Sequence, residues 1–336
     1  MEDPVKVDVQ QVEMELARIQ RELTSSEVRA SLFNLVVHSS DVHRAQADAA
    51  LTYLLGKRAA RVIHVVNQDV AESSLEVSAR CTIDAERKGV CFQEIVITNG
   101  RDGAGGALGS WTPLLVRDIP TYVLWLNAIR RHDPLFDLVQ TQVDKLILDS
   151  DRALELGDSE ERVLATLRTA AVARSVPLAD FAWKRLRPYR QLAADAFSGE
   201  AVQQLERIES VTIHGLSPAG SRLYGLWLAE RLGWSKPEFA TAADHYTAPD
   251  GRTVTVRRDP GSPGCDQEIE FLLTDGRSVD LRTTRSGCAD IDGADGEEHR
   301  EMVAVPAEGE ILLEEVDAVY ADSLYRSALA LMPAIV

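Results

Sequence analysis

At 336 residues the chain has room for two domains with ordinary cores, and 45% hydrophobic with 26% charged residues is the balance of a soluble globular protein. Its 53 acids against 36 bases give a formal charge of −17, which excludes binding to duplex nucleic acid or an anionic membrane through the overall field. The start, MEDPVKVD, lacks the basic end and apolar run of a secretory signal, no apolar stretch approaches the roughly 20 residues of a membrane span, and the 4 cysteines make no secreted disulfide scaffold, so a cytoplasmic location is expected.

Val12, Leu16, Ile19 and Leu23 recur at helical spacing and predict an amphipathic N-terminal helix. Residues 30–40 read as a buried strand, Asp41 as the cap of a helix reaching about residue 55, and residues 60–67 as a second buried strand. Two strands apolar throughout, joined by a helix, predict a partly parallel sheet. Residues 74–84 and 89–98 alternate and predict an antiparallel hairpin. A glycine-rich loop runs from Gly100 to Gly109, and strands follow over 121–126 and 145–151, the second closing the domain. The expected architecture is α/β, with a mixed-sheet N-terminal α/β domain over 1–155 and an α+β C-terminal domain over 156–336.

In the second domain, Pro188 can open a helix whose buried face carries Tyr189, Leu192, Ala193, Ala196 and Phe197. Residues 209–215 read as a strand. Ser217 and Pro218 start a helix ending at Gly233, with Trp234 packing back on its last turn. Short alternating strands separated by turns fill 253–305, and a closing helix covers about 311–331.

Few residues invite a catalytic reading. The loop from Gly100 to Gly109 follows a strand, but its glycines miss the dinucleotide register and no Lys-Ser/Thr follows, so a surface loop explains it better than a small-molecule cradle. Gly215-Leu216-Ser217-Pro218-Ala219 approaches a hydrolase nucleophile elbow, with His245 and His299 downstream as formal bases; a helix cap at Ser217 accounts for both Ser217 and Pro218. The acidic run 289–301 departs from a calcium loop at Ala294 and Asp295, and the 7 histidines are scattered without metal-ligand spacing. No cofactor or metal is expected, and no catalytic residue is assigned.

The stretch 178–197, LADFAWKRLRPYRQLAADAF, reverses the charge of the chain locally. Lys184, Arg185, Arg187 and Arg190 crowd a helix start beside Trp183 and Tyr189, without an acid among them. Arginine and tryptophan are enriched at binding hot spots, so these six are the candidate partner-binding residues; neutralisation by the protein's own carboxylates is the competing explanation. Asp180, Trp183, Arg185, Leu186, Pro188, Arg190, the 192–194 region and Phe197 also resemble the glucose-6-phosphate dehydrogenase assembly protein family (OpcA), with Tyr189 where a second Trp is usual and Arg187 where a capping Ser or Thr is expected. Segments at 34–37, 60–65, 94–98, 113–125, 147–151 and 223–234 extend the resemblance in the same order, with departures at Ala59, Ala60 and Leu126. The resemblance implies a bacterial, non-enzymatic protein that binds glucose-6-phosphate dehydrogenase and promotes its active oligomer, at the entry to the NADPH-generating oxidative pentose phosphate pathway. A hydrolase built on Ser217, or a small-molecule-binding domain built on the Gly100 to Gly109 loop, is the alternative.

Cys265 and Cys288 flank two short alternating runs joined by Asp275-Gly276-Arg277. A two-residue loop at Gly276 and Arg277 would set the cysteines opposite each other, near enough for a disulfide; a loop at Asp275 and Gly276 would leave them diagonal. Two reduced thiols are the ordinary cytoplasmic expectation. By the resemblance, such a pair would make sense as a redox switch.

Overall fold

The computed structural model describes residues 5–23, 31–83, 89–103, 108–130, 133–174, 176–259, 261, 266–284, 287–293, 296, 298–318 and 320–333. The chain is mixed α/β and forms two compact units. The first unit holds residues 1–158, 176–179 and 307–321, and the second holds 159–175, 180–306 and 322–336.

The first sheet contains β1 (Val5–Lys6), β2 (Phe33–Ser40), β3 (Ala60–Asn67), β4 (Ser74–Ile83), β5 (Gly89–Asn99), β6 (Thr121–Leu126), β7 (Lys145–Leu148) and β8 (Leu178–Asp180), in the order β1-β4-β5-β3-β2-β6-β7-β8. The run β5-β3-β2-β6-β7 is parallel, and β4 pairs antiparallel with β5. Its central strands are covered on both faces: every residue of β6 and all but the last of β2 and β3 are buried, the polar Asn34, His38, Ser39, Arg61 and His64 among them. The helices are α1 (Val12–Leu23), α2 (Arg44–Leu54), α3 (Leu108–Trp111), α4 (Pro134–Val139) and α5 (Ser150–Glu155). Val12, Leu16 and Ile19 are buried where α1 packs on β4, as the helical stripe predicts. Asp133 caps α4 by accepting from the Leu135 and Phe136 N–H groups, and Asp149 caps α5 through the Asp151 N–H.

The second unit has α6 (Glu160–Arg168), α7 (Phe181–Arg185), α8 (Arg187–Ala196) and α9 (Pro218–Leu232) with β9 (Ile208–His214), β10 (Ser235–Phe239), β11 (Ala243–Thr247), β12 (Thr253–Asp259), β13 (Gln267–Leu273), β14 (Ser278–Thr283), β15 (Cys288–Asp292) and β16 (Glu298–Met302). Its sheet runs β10-β11-β12-β9-β13-β14-β15-β16, and β9 with β12 is its parallel pair. Gly233 ends α9 at φ +68°, and the Trp234 N–H turns back to the Ala229 carbonyl at 2.8 Å.

The expected closing helix is two helices, α10 (Glu308–Asp317) and α11 (Ser323–Ala330). The break falls where Asp322 caps α11 by accepting from the Tyr325 N–H at 3.1 Å, and α10 belongs to the first unit while α11 belongs to the second. The first sheet does not close at β7 either, since β8 adds the opening residues of the 178–197 stretch to its edge.

Candidate functional site

The stretch 178–197 is the short strand β8 followed by two short helices, α7 and α8. Asp180 opens α7 by accepting from the Ala182 N–H at 3.0 Å, and its other oxygen accepts from the Tyr325 hydroxyl at 2.7 Å. Pro188 lies in the first turn of α8, where a missing N–H leaves no bond unmade. The cap position of α8 is Leu186, without a side-chain cap, and Arg187, expected in the place of a capping Ser or Thr, is instead the first residue of the helix. The predicted apolar face is buried: Tyr189, Leu192, Ala193, Ala196 and Phe197 all lie in the core.

Trp183 is fully buried, so its ring is part of the second unit's core and presents no face to a partner. Its indole N–H donates to Asp322 Oδ2 at 2.9 Å, and its ring lies 5.2 Å from that of Tyr325. The Arg190 guanidinium stacks over the indole, 3.7 Å from the ring centroid. Burial pulls the Arg190 pKa down to about 10, with Asp322 opposing the fall and Arg187 adding to it. Lys184 Nζ stands 3.7 Å from Asp322 Oδ2. Tyr189 is buried too, and its hydroxyl donates to Gln267 Oε1 at 3.0 Å. Of the six candidate residues, Arg187 is the exposed one, while Lys184, Arg185 and Arg190 are half-buried. An acid facing Lys184 and Arg190 is Asp322, distant in sequence and brought in by the cap of α11.

Ser217 is a helix cap, its Oγ accepting from the Gly220 N–H at 3.2 Å. His245 bonds Thr255, and His299 stands 3.5 Å from Glu301, so neither orients Ser217. In the glycine-rich loop, residues 104–107 lie outside the described residues; Gly100 is glycine because a Cβ there would stand 2.7 Å from the Glu72 carbonyl carbon. The acidic run 289–301 contributes to β15 and β16, with Asp290 paired to Arg300, and no group of three or more metal-ligating side chains occurs among the described residues.

The cysteine expectation needs a correction of register. Thr274, Asp275 and Gly276 form a three-residue turn, with Gly276 at φ +84°, and Leu272 pairs with Ser278. That hairpin register is three residues away from the one that would set the cysteines opposite each other. Cys265 lies outside the described residues, and Cys288 pairs instead with Met302, its thiol 3.8 Å from the Met302 sulfur.

Sequence reasoning missed a buried charge network in the second unit. Arg222 Nη1 donates to Asp244 Oδ1 at 2.6 Å and its Nε to Glu160 Oε1, while Arg258 bonds Glu160 at 2.9 Å and approaches Asp244 at 3.5 Å. Burial raises the Asp244 pKa, against the pull of Arg222 and Arg258. Two cations and two carboxylates alternate there, an arrangement that holds the helices to the sheet and offers no uncompensated charge. The four residues are scattered along the sequence and carry no local signal.

Two family models match in order: the glucose-6-phosphate dehydrogenase subunit N-terminal domain over residues 52–168 and its C-terminal domain over residues 176–329. The OxPP cycle protein OpcA of Nostoc punctiforme is 28% identical over 51% of the chain and 37% of that protein. Its Synechococcus elongatus namesake is 26% identical over 77% of the chain and 63% of that protein. The chain thus spans less than two thirds of either relative. Among solved structures, UDP-N-acetylglucosamine 3-dehydrogenase GnnA from Acidithiobacillus ferrooxidans is 12% identical over 90% of the chain and 95% of that protein, with a TM-score of 0.47, a likeness too slight to carry any argument. The two domain models and the named relatives agree with the motif residues around Trp183, and the chain belongs to the glucose-6-phosphate dehydrogenase assembly protein family, OpcA.

Proposed function

We propose that the protein is a non-enzymatic assembly factor that binds glucose-6-phosphate dehydrogenase in the cytoplasm and favours its active oligomer. The observation that carries this reading is the match of both family domains, in order, to the two halves of the chain. The cap role of Ser217 supports it by giving the hydrolase alternative's nucleophile a structural task. An activator of this kind works by binding the active state more tightly than the inactive one. Moving an equilibrium from 1:99 to 99:1 needs about a 10⁴-fold difference in affinity.

With Trp183 and Tyr189 buried, the partner surface we assign near this stretch centres on the exposed Arg187, flanked by the half-buried Arg185. A basic spot on a chain of formal charge −17 would steer an acidic patch of the dehydrogenase to one orientation. The test mixes the protein with the dehydrogenase of the same cell and follows particle size and activity together. A larger, more active species is expected, with affinity falling as salt rises and weakened by Arg187→Glu. No change in size or activity on mixing would refute assembly, and unchanged affinity in a folded Arg187→Glu protein would refute this surface.

A further inference from the structure

We infer that the carboxyl edge of the first sheet binds a small hydroxylated phosphomonoester. The strand order supplies the place. From β2 the chain moves by way of α2 to β3 and onward to β5, whereas β6, on the other side of β2, is followed in the chain by α4 and then β7. Adjacent parallel strands whose connections leave in opposite directions open a crevice beyond their carboxyl ends, the usual ligand position in open α/β sheets. A crevice of about 280 Å³ lies there, bounded by Asn67 at the end of β3, by Trp125, Asn127 and Arg130 at and after the end of β6, and by Asp133 and Leu135 at the start of α4.

The lining side chains define the chemistry. Asn67 uses its oxygen to accept from Asn99 at 2.7 Å, which leaves its N–H donors for another partner. Asn127 has no side-chain hydrogen bond among the described residues. Arg130 is 64% exposed and forms an ion pair with Asp158, Nε to Oδ2 3.6 Å, a separation beyond hydrogen-bond length. Three sets of donors without a hydrogen-bond acceptor among the described residues, one of them a guanidinium whose ion pair with Asp158 is loose, converge on one crevice of a strongly acidic protein, which suits a phosphate. Asp133 spends one oxygen on the cap of α4 and keeps the other as an acceptor, which suits a hydroxyl. Trp125 and Leu135 supply an apolar wall for a short carbon skeleton.

A dinucleotide does not fit. The first strand-to-helix turn, residues 38–43, has no glycine to admit a pyrophosphate against the backbone, and Asp41 puts a carboxylate there, held by the Gln68 amide at 2.9 Å. At about 280 Å³ the crevice lies just under the roughly 300–1,000 Å³ of ordinary ligand pockets, which suits a single small metabolite.

The test is isothermal titration of the whole protein, without the dehydrogenase, against ribose 5-phosphate, glycerol 3-phosphate, ribose and inorganic phosphate. Saturable binding of at least one phosphomonoester is expected, about tenfold or more tighter than inorganic phosphate, with none for ribose. Arg130→Gln should weaken it about tenfold or more, and Asn127→Asp, which adds a like charge, should do the same while each free variant melts as the parent does. The inference is overturned if neither phosphomonoester binds up to about 10 mM, if inorganic phosphate binds equally well, or if the Arg130→Gln protein binds like the parent. Because no dehydrogenase is present, these outcomes are separate from the success or failure of the assembly reading.

Discussion

Replacing Trp183 by Phe separates a core role from an interface role. Phenylalanine keeps an aromatic ring under Arg190 but removes the indole N–H that donates to Asp322 at 2.9 Å. A hydrogen bond to a charged group is worth about 1.5–3 kcal/mol. The poorer cation–π face and the lost ring volume add to that, so the expected total is about 3 kcal/mol, against about 3–5 kcal/mol for Trp183→Ala. For a unit of this size that lowers the melting temperature by about 6–12 °C. The loss should depend on pH. Burial pushes the Asp322 carboxyl up, but the Tyr325 N–H, the Trp183 indole, Lys184 and Arg190 outweigh it, and its pKa sits below the ordinary value. A depressed carboxylate contributes stability above about pH 4 and loses it as pH falls through the folded-state pKa, so the variant's deficit shrinks in acid. Urea unfolding followed by far-ultraviolet circular dichroism measures this without relying on tryptophan emission. A deficit under about 1 kcal/mol together with weakened dehydrogenase binding would refute the reasoning and move Trp183 to the partner surface.

Three further substitutions probe separate features. Ser217→Ala should remove about 1 kcal/mol through loss of the α9 cap, seen as a lower melting temperature with dehydrogenase activation intact. His38 is buried, and burial, with His64 adding to it, lowers its pKa from 6.5 to about 3. The folded state therefore holds it neutral while the unfolded chain protonates below about pH 6.5, and stability falls toward pH 3 by up to about 1.4 kcal/mol per pH unit. His38→Phe should flatten that part of the pH–stability curve, and an unchanged slope would assign it to other groups. A Cβ at Gly309 would overlap the Tyr53 side chain where α10 packs on α2, so Gly309→Ala should destabilise the first unit by about 1–3 kcal/mol in thermal unfolding.

Local signals made much of the fold legible. The apolar runs of β2 and β3, the alternation of β4 and β5, and the Ser217 to Gly233 boundaries of α9 each rest on neighbouring residues, and the structure contains each of them. What stayed hidden depends on distant partners or on turn geometry. Asp322 caps the second of the two closing helices, and it also accepts from Trp183, 139 residues away in the chain, and pairs with Lys184. The charges of Glu160, Arg222, Asp244 and Arg258 find one another only once the second sheet has formed. In the β13–β14 hairpin a three-residue turn replaces a two-residue one, and that single difference moves the register away from the cysteine pairing.

Lys145 lies at 1% exposure, paired with Glu315 and donating from Nζ to the Glu315 carbonyl at 2.9 Å and the Ala318 carbonyl at 3.0 Å. All three acceptors come from α10 or the residue just after it, so the ammonium on β7 waits for a segment 170 residues further along. On a ribosome the first unit would emerge long before the groups that neutralise its buried cation, and could not complete itself as the chain grows. A fragment that stops before α10 would lack all three of these acceptors, and its Lys145 ammonium would have to be satisfied by water instead. The N-terminal half is thus not a module to be exchanged alone, because its last folding step waits for α10.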